Sequence, residues 1–194
     1  NPNFTSSQSG NHYLTPADID TIYNIKAAHD AGFTGTGQSI AVVGQTAVSL
    51  IDIENFQRAA GLSQKDPSLV LVPGTGTATV STTTGDEAES DLDLEYSGAI
   101  APGATIYFVY VGNNGNDSVT DAIRYAVDND IAPIISTSYG LCETEISAGD
   151  YNSENAVLEQ AAAQGQTVVA AAGDNGSTDC FLGTSPAELN TLPL

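Results

Sequence analysis

Short apolar runs that alternate with helical segments constrain the fold of this 194-residue chain more than any other feature. Residues 39–43 do not alternate with polar residues and are rich in β-branched side chains, which is typical of a strand covered on both faces. Similar runs predict strands over residues 69–72, 105–110, 133–137 and 167–171. Helical patterns predict helices over residues 16–23, 50–60, 86–100, 118–129 and 152–164. The alternation predicts an α/β fold, a doubly wound, mostly parallel sheet flanked by helices.

The size and charge of the chain exclude several classes of protein. With 41% hydrophobic residues, residues 1–194 are expected to form a single domain with a packed core. The chain has 4 Lys and Arg against 24 Asp and Glu, which gives a net charge of −20. A nucleic-acid binder needs a basic surface, and an anionic membrane repels an acidic one, so we expect neither partner. No apolar run reaches the length of a membrane span.

The excess of carboxylates favours a protein that works in acid. Near neutral pH the uncompensated charges repel one another and destabilise the compact state, whereas protonation relieves the repulsion. Halophilic proteins show a similar imbalance, but their charged fraction is usually higher than the 14% of this chain. The first residues do not resemble a leader sequence, so we expect either an intracellular protein or one from which a leader was removed.

The two cysteines, Cys142 and Cys180, are either buried thiols or a disulfide of an exported protein. Each follows an apolar segment, and loops that follow neighbouring parallel strands lie at the same edge of a sheet. We therefore expect the disulfide. The two histidines, His12 and His29, are too distant in sequence to complete a zinc site with them, and we assign no metal ligand in this chain.

The expected position of a site is the carboxyl edge of the sheet, where ligands of parallel α/β folds bind. The segments that follow the predicted strands there are residues 44–45, 138–140 and 173–176.

The acidic segment over residues 85–95 is a solvated helix face or a functional one. A helical wheel gathers Ala88, Leu92, Tyr96, Ala99 and Ile100 on one apolar face and directs Glu87 and Ser90 to solvent. Glu89 falls inside the apolar stripe, and Asp93 lies one turn further on at its border. A carboxylate in an apolar stripe is costly unless it is paired or functional. Two carboxylates at i and i+4 repel or share a proton, which suits acid–base catalysis.

Residues 170–176, Ala-Ala-Ala-Gly-Asp-Asn-Gly, resemble the oxyanion segment of subtilisin-like proteins, with Asp174 where Asn would stand. Gly44-Gln45 stands where those enzymes place a catalytic Asp, and neither histidine has the setting of their base. Taken in order along the chain, further motifs are similar to those of the sedolisin family of serine-carboxyl peptidases, which share the subtilisin fold. These motifs lie at residues 14–18, 23–25, 40–45, 89–93, 99–104, 136–140 and 173–177.

The resemblance implies a role for each matching residue in an acid endopeptidase. The Glu of the family's Glu-x-x-x-Asp motif, its general base, corresponds to Glu89, and the partner Asp corresponds to Asp93. The oxyanion Asp corresponds to Asp174. The segment whose backbone pairs with an extended peptide substrate corresponds to Ser138, Tyr139 and Gly140.

The resemblance also implies parts that this chain does not supply. The family's nucleophilic Ser lies in a Gly-Thr-Ser motif far downstream. We do not assign this role to Ser185 of Gly183-Thr184-Ser185, which follows Asp174 too closely, with no strand between them. The family's calcium site is expected beyond Leu194. We therefore expect the N-terminal half of a catalytic domain, completed by a C-terminal chain of the same precursor, inactive alone and secreted or otherwise exported to an acidic compartment.

Two other classes of function remain as alternatives. A non-catalytic homologue would bind peptides along residues 138–140 without cleaving them, although binding alone needs none of the three carboxylates. A flavodoxin-like nucleotide binder would share the alternating pattern. It would need a phosphate loop after a strand, whereas residues 35–37, Gly-Thr-Gly, precede one.

Overall fold

The computed structural model describes residues 4–6, 9–142 and 145–174. Its helices and strands alternate over most of the chain. In chain order they are β1 (Phe4–Thr5), β2 (His12–Tyr13), α1 (Pro16–Ile22), α2 (Ile25–Asp30), β3 (Ser39–Gly44), α3 (Leu50–Ala59), β4 (Ser68–Leu71), α4 (Asp86–Ile100), β5 (Thr105–Tyr110), α5 (Val119–Asp128), β6 (Ile134–Thr137), α6 (Ala148–Gln164) and β7 (Thr167–Ala170).

Five strands form one parallel sheet in the order β4-β5-β3-β6-β7. The central strand, β3, pairs with β5 on one side and β6 on the other, and Val42 is level with both Phe108 and Ser136. A separate antiparallel pair, β1 and β2, precedes the sheet. The prediction of a mostly parallel sheet flanked by helices is confirmed.

The two faces of the sheet bury separate apolar clusters because successive side chains of a strand point to opposite faces. On one face, Ala41 and Val43 pack with Val127 of α5 and Ala161 of α6. On the other, Val42 and Phe108 join Ile53 of α3 and Leu94 of α4, each at most 3% exposed. Helices therefore cover both faces, as a doubly wound fold requires.

Local sequence explains where the helices start. Ser118 and Asp121 form a reciprocal capping box before α5, and Pro16 occupies the first turn of α1. The helix α4 carries Asp86, Glu87 and Glu89 in its first turn, where they complement the helix dipole. The helix α6 begins four residues earlier than predicted because the Ser147 hydroxyl accepts a hydrogen bond from the Asp150 N–H at 3.2 Å.

None of the helices among the described residues combines the length and the apolar character that crossing a membrane requires.

Candidate active site

The carboxyl edge of the sheet brings residues 44–45, residues 138–140 and Asp174 to one side of the described sheet. Residues 138–140 follow β6 directly, and Asp174 follows β7 by four residues. Pairing between these strands continues past their ends, since the Ala171 N–H donates to the Thr137 carbonyl at 3.1 Å. Asp174 is exposed at this edge, and Gly140 is exposed too, whereas Ser138 and Tyr139 are half-buried.

A hydrogen bond connects this edge to α4. The Ser138 hydroxyl donates to Oδ1 of Asp93 at 2.8 Å, although the two residues are 45 positions apart. The second carboxylate oxygen of Asp93, Oδ2, is buried without a hydrogen bond to any described residue. The structure thus brings together Asp93 and Ser138, which the sequence had placed in two separate motifs.

Burial raises the pKa of Asp93 above its ordinary value, and the negative charge of Glu89 raises it further. The hydrogen bond from Ser138 acts in the opposite direction because it stabilises the carboxylate form. Glu89 is partly buried one helical turn before Asp93. The two carboxylates therefore lie at the border of the buried face of α4, close enough for one to influence the ionisation of the other.

The predicted apolar face of α4 is correct at Ala99, which is 6% exposed, but wrong in the first turns of the helix. Ser90 and Leu94 are 1% and 3% exposed, whereas Leu92 is 49% exposed and Ala88 is also exposed. A wheel weights only hydrophobicity, but Ser90 packs over the carboxyl end of β3 because Gly44 leaves room for it. A Cβ on Gly44 would lie 2.9 Å from the Ser90 hydroxyl.

Gln45 ties together the starts of two helices beside the site. Its side-chain Nε2 donates a hydrogen bond to Oδ1 of Asp86, in the first turn of α4, at 3.3 Å. Its side-chain Oε1 accepts a hydrogen bond from the N–H of Val119, the first residue of α5, at 3.2 Å. In the sequence, Gln45 stands at a strand end, in the motif at residues 40–45 and where subtilisin-like enzymes have a catalytic Asp, and none of these features indicates a bridge between helices. Its bridging role depends on two helix starts 33 residues apart, so no local pattern could have indicated it.

Tyr139 contributes a buried hydroxyl to the same region. This hydroxyl lies near Ser90 and Asp86, and no described residue makes a regular hydrogen bond with it. Burial raises the pKa of Tyr139, and the charge of Asp86 adds to the effect. The ring also forms part of the wall of an apolar cavity of about 380 Å³. Other side chains of this wall are Val119, Ile123, Leu141, Ile146, Val157 and Leu158.

A second group of carboxylates lies on the far side of α4. Oxygens of Asp52 in α3 and of Glu87 and Asp91 in α4 all lie within 4.8 Å of one another, a spacing that a cation could bridge. Burial, together with the charges of the neighbouring carboxylates, raises the pKa of Asp91 to about 6 and that of Glu95 to about 7. No local sequence pattern indicates this group, because Asp52 comes from another helix.

Some predicted residues lie outside the described part of the chain. Cys180 is one of them, so its disulfide with Cys142 remains a prediction, although Cys142 itself is buried at 6% exposure. Ser185 is another. The calcium site expected beyond Leu194 also remains a prediction.

Comparisons with known proteins agree with the motifs. The sequence profile of the subtilase family, Peptidase_S8, matches residues 52–191. The chain is 31% identical to sedolisin of Pseudomonas sp. (strain 101) over 170 residues, which is 85% of the chain and 28% of that protein. It is 34% identical to kumamolisin of Bacillus sp. (strain MN-32) over 171 residues, 85% of the chain and 30% of that protein.

A solved structure shares the fold. Pseudomonas sedolisin, a serine-carboxyl proteinase complexed with two molecules of pseudo-iodotyrostatin, superposes with a TM-score of 0.68 at 29% identity. The match covers 86% of this chain and 46% of that one. Of the two curated relatives above, sedolisin and kumamolisin, the chain spans less than a third of the full length. From the profile, the relatives and the shared fold, we conclude that the chain belongs to the subtilase family, in its sedolisin branch.

Proposed function

We propose that the protein containing this chain is an acid-acting endopeptidase that hydrolyses peptide bonds with a Ser-Glu-Asp triad. Glu89 and Asp93 come from this chain, and the serine comes from a downstream segment or a second chain of the same precursor. The observation that carries the proposal is the placement of Asp93, which lies one turn after Glu89 and is hydrogen-bonded at 2.8 Å to the segment after β6. That segment ends on the exposed residue Gly140, where an extended peptide has access.

A carboxylate pair suits catalysis in acid. A histidine with a pKa of about 6.5 is protonated at about pH 3–4 and cannot accept a proton there. A carboxylate still can. Glu89 would take the proton from the attacking serine hydroxyl, and Asp93 would hold Glu89 through a shared proton. The surroundings support this, because burial and the Glu89 charge raise the pKa of Asp93 and so favour a proton on the pair.

Asp174 would stabilise the tetrahedral oxyanion. Only the protonated carboxyl group can donate a hydrogen bond to an oxyanion, so this role also requires acid. Its exposed position past β7, at the same edge as residues 138–140, leaves it accessible to a bound peptide. A peptide paired with the backbone of Ser138, Tyr139 and Gly140 would pass the apolar cavity beside Tyr139. This cavity is large enough for one bulky apolar side chain.

The remaining expectations concern the rest of the protein. We propose export to an acidic compartment, a disulfide between Cys142 and Cys180, and a calcium site formed by residues beyond Leu194. None of the chemistry assigned to Glu89, Asp93 and Asp174 passes through that ion.

The test is carboxylate replacement in the full-length protein. We expect Glu89→Gln and Asp93→Asn each to lower kcat/KM for an unstructured peptide at least about a hundredfold at acid pH, because general base catalysis contributes on that order. Glu87→Gln, which changes a carboxylate on the same helix two residues before Glu89, is the matched control and should retain activity at that pH. Retained activity in both Glu89→Gln and Asp93→Asn would exclude the triad.

The alternative is a homologue that binds peptides without cleaving them. The open segment 138–140 and the cavity would serve that function equally well. A peptide aldehyde that labels the protein covalently at low pH distinguishes the two, since only a competent nucleophile forms the adduct. Tight binding without an adduct would favour the alternative.

A further inference from the structure

We propose that Ser138 is a positioning residue for the catalytic pair, because its hydroxyl holds one oxygen of Asp93 and leaves the other for Glu89. This inference deepens the proposed function and rests on it. It assigns to the Ser138 side chain a role separate from the substrate pairing expected of its backbone.

The first support is the geometry of the Asp93 carboxylate. Oδ1 accepts the Ser138 hydroxyl at 2.8 Å, so this oxygen is already engaged. Oδ2 is buried and has no hydrogen bond to a described residue. A buried carboxylate oxygen without a partner is costly, and this cost favours a proton shared with a neighbouring carboxyl group. Glu89 lies four residues earlier on the same helix, the spacing at which side chains meet.

The second support is the face of the sheet on which β6 places the Ser138 side chain. Ser136 is level with Val42, whose side chain belongs to the cluster on the α4 face of the sheet. Because strand side chains alternate, Ser138 is expected on that same face and buried Thr137 on the other. The Thr137 hydroxyl also accepts the Tyr139 N–H at 3.3 Å and so restrains the backbone where it leaves the strand. The Ser138 hydroxyl is therefore held toward α4 by the strand itself.

The third support is the set of groups around Asp93. Glu89 is the ionisable group that acts on Asp93, and the Ser138 hydroxyl opposes the effects of burial and of Glu89 on its pKa. The Tyr139 hydroxyl, after β6, and the neutral side-chain amide of Gln45, after β3, also lie in this region. The Gln45 amide donates a hydrogen bond to Asp86. The Asp52 side chain of α3 acts instead on Asp91 and Glu95. Helix α1 contributes Asp18, which acts on Tyr96.

The experiment compares hydroxyl and non-hydroxyl side chains at position 138 in the full-length protein. We expect Ser138→Ala to lower kcat about tenfold with KM within about twofold, because the loss affects the pair rather than peptide binding. The pH–rate profile should shift to higher pH by about one pH unit, because a carboxylate that loses a hydrogen bond has its pKa raised by about that much. Ser136→Ala is the control, because it removes a hydroxyl from the same face of the sheet two residues earlier, within β6.

A matched pair separates the hydroxyl from the shape of the side chain. Thr and Val have nearly the same volume and branching, so Ser138→Thr should keep the wild-type pH profile while Ser138→Val should shift it as Ser138→Ala does. This pair also decides the question if Ser138→Ala is too unstable to purify. Equal profiles for the Thr and Val variants would overturn the proposal, as would a raised KM with unchanged kcat.

A readout without turnover distinguishes failure of this inference from failure of the proposed function. The carboxyl carbon of Asp93, followed by carbon-13 NMR through a pH titration, should titrate higher in Ser138→Val than in Ser138→Thr. If this shift is absent, Ser138 does not position Asp93, even if Glu89→Gln and Asp93→Asn are inactive. If the shift is present but those two variants remain active, the proposed function is wrong and Ser138 positions no catalytic pair.

Discussion

At the scale of single residues, Gly44 determines how closely α4 approaches the sheet. A Cβ at this position would lie 2.6 Å from Phe108 Cζ and 2.9 Å from the Ser90 hydroxyl, distances that real Cβ atoms do not show. The neighbours are a fully buried aromatic ring and a buried hydroxyl, neither of which can move easily. Gly44 therefore allows Ser90 to pack on the end of β3, and this contact sets the rotation of the helix that carries Glu89 and Asp93.

We expect Gly44→Ala to lower the free energy of unfolding by about 2 kcal/mol, the usual cost of forcing extra volume into a packed core. Gly98→Ala is the matched control. It adds the same methyl group within α4, where nothing lies within 4 Å of the new Cβ, and it should stabilise the helix by about 0.5–1 kcal/mol.

Urea unfolding of the two glycine variants and the wild type at one acid pH measures both effects. Equal stability of Gly44→Ala and the wild type would mean that α4 can shift away from β3 without loss. The position of Ser90 would then not depend on the glycine.

At the scale of elements, the contact between α3 and α4 brings several carboxylates together, so we expect it to weaken as they ionise. Asp52 on one helix faces Glu87 and Asp91 on the other, and Glu95 continues the row. Oδ1 of Asp91 is buried without a hydrogen bond to a described residue. Like charges at this spacing repel when ionised and can share protons when they are not. The same helix carries Glu89 and Asp93, so movement of α4 away from α3 would also disturb the candidate site.

The folded protein is therefore expected to lose stability as the pH rises from about 4 to 7. Folding raises the pKa of Asp91 from 3.8 to about 6 and that of Glu95 from 4.5 to about 7. Both groups thus bind protons more tightly in the folded state. Their contribution is complete below the unfolded values and disappears as the pH passes the folded ones. Because both side chains are partly solvated, we expect about 2 kcal/mol for the two together.

The measurement is the urea midpoint of the wild type and of the double variant Asp91→Asn/Glu95→Gln between pH 3.5 and 7.5. The urea midpoint of the double variant should fall less as the pH rises than that of the wild type. Asp66→Asn changes an exposed carboxylate in the loop after α3, and its midpoint should fall as much as that of the wild type. If the midpoint of the double variant fell with pH as steeply as that of the wild type, Asp91 and Glu95 would not be the cause of the pH dependence. Stabilisation of the wild type alone by added calcium at pH 7 would show that the carboxylates bind a cation instead of sharing protons.

At the scale of the whole molecule, the sheet is covered unevenly. β3 and β5 are buried between helices, but β7 lies at the edge of the described sheet with Val169 51% exposed. Leu158 of α6 and Leu141 after β6 are 45% and 66% exposed on the same side, beside the apolar cavity. Among the described residues, this open strand edge and the apolar surface beside it are of the kind that proteins usually cover.

We propose that the downstream segment of the protein covers β7 and α6. We therefore expect residues 1–194 expressed alone to unfold at a lower temperature than the full-length protein and to bind the dye ANS. Addition of a separately expressed downstream segment should raise the melting temperature and release the dye. Differential scanning calorimetry and ANS fluorescence at acid pH measure both. Sharp cooperative unfolding of the isolated chain at the temperature of the full-length protein would show that β7 needs no further partner.

The sequence by itself determined the layers, the parallel pairing of the strands and the edge of the sheet at which the candidate site lies. These follow from local periodicity, since a buried parallel strand is apolar throughout and its carboxyl end is where ligands bind. The motif with Glu89 and Asp93 was also visible in the sequence, as was Asp174, because each is a short pattern of neighbouring residues.

Only the tertiary structure decided which side of α4 is buried, what holds Asp93 and which carboxylates share a surface. The wheel failed at Ser90 and Leu92 because burial depended on Gly44, 46 residues from Ser90 in the chain. The bond from Ser138 to Asp93 and the approach of Asp52 to Asp91 join segments from different parts of the sequence. Such contacts form only when the helices pack on the sheet, and no periodicity within one segment encodes them.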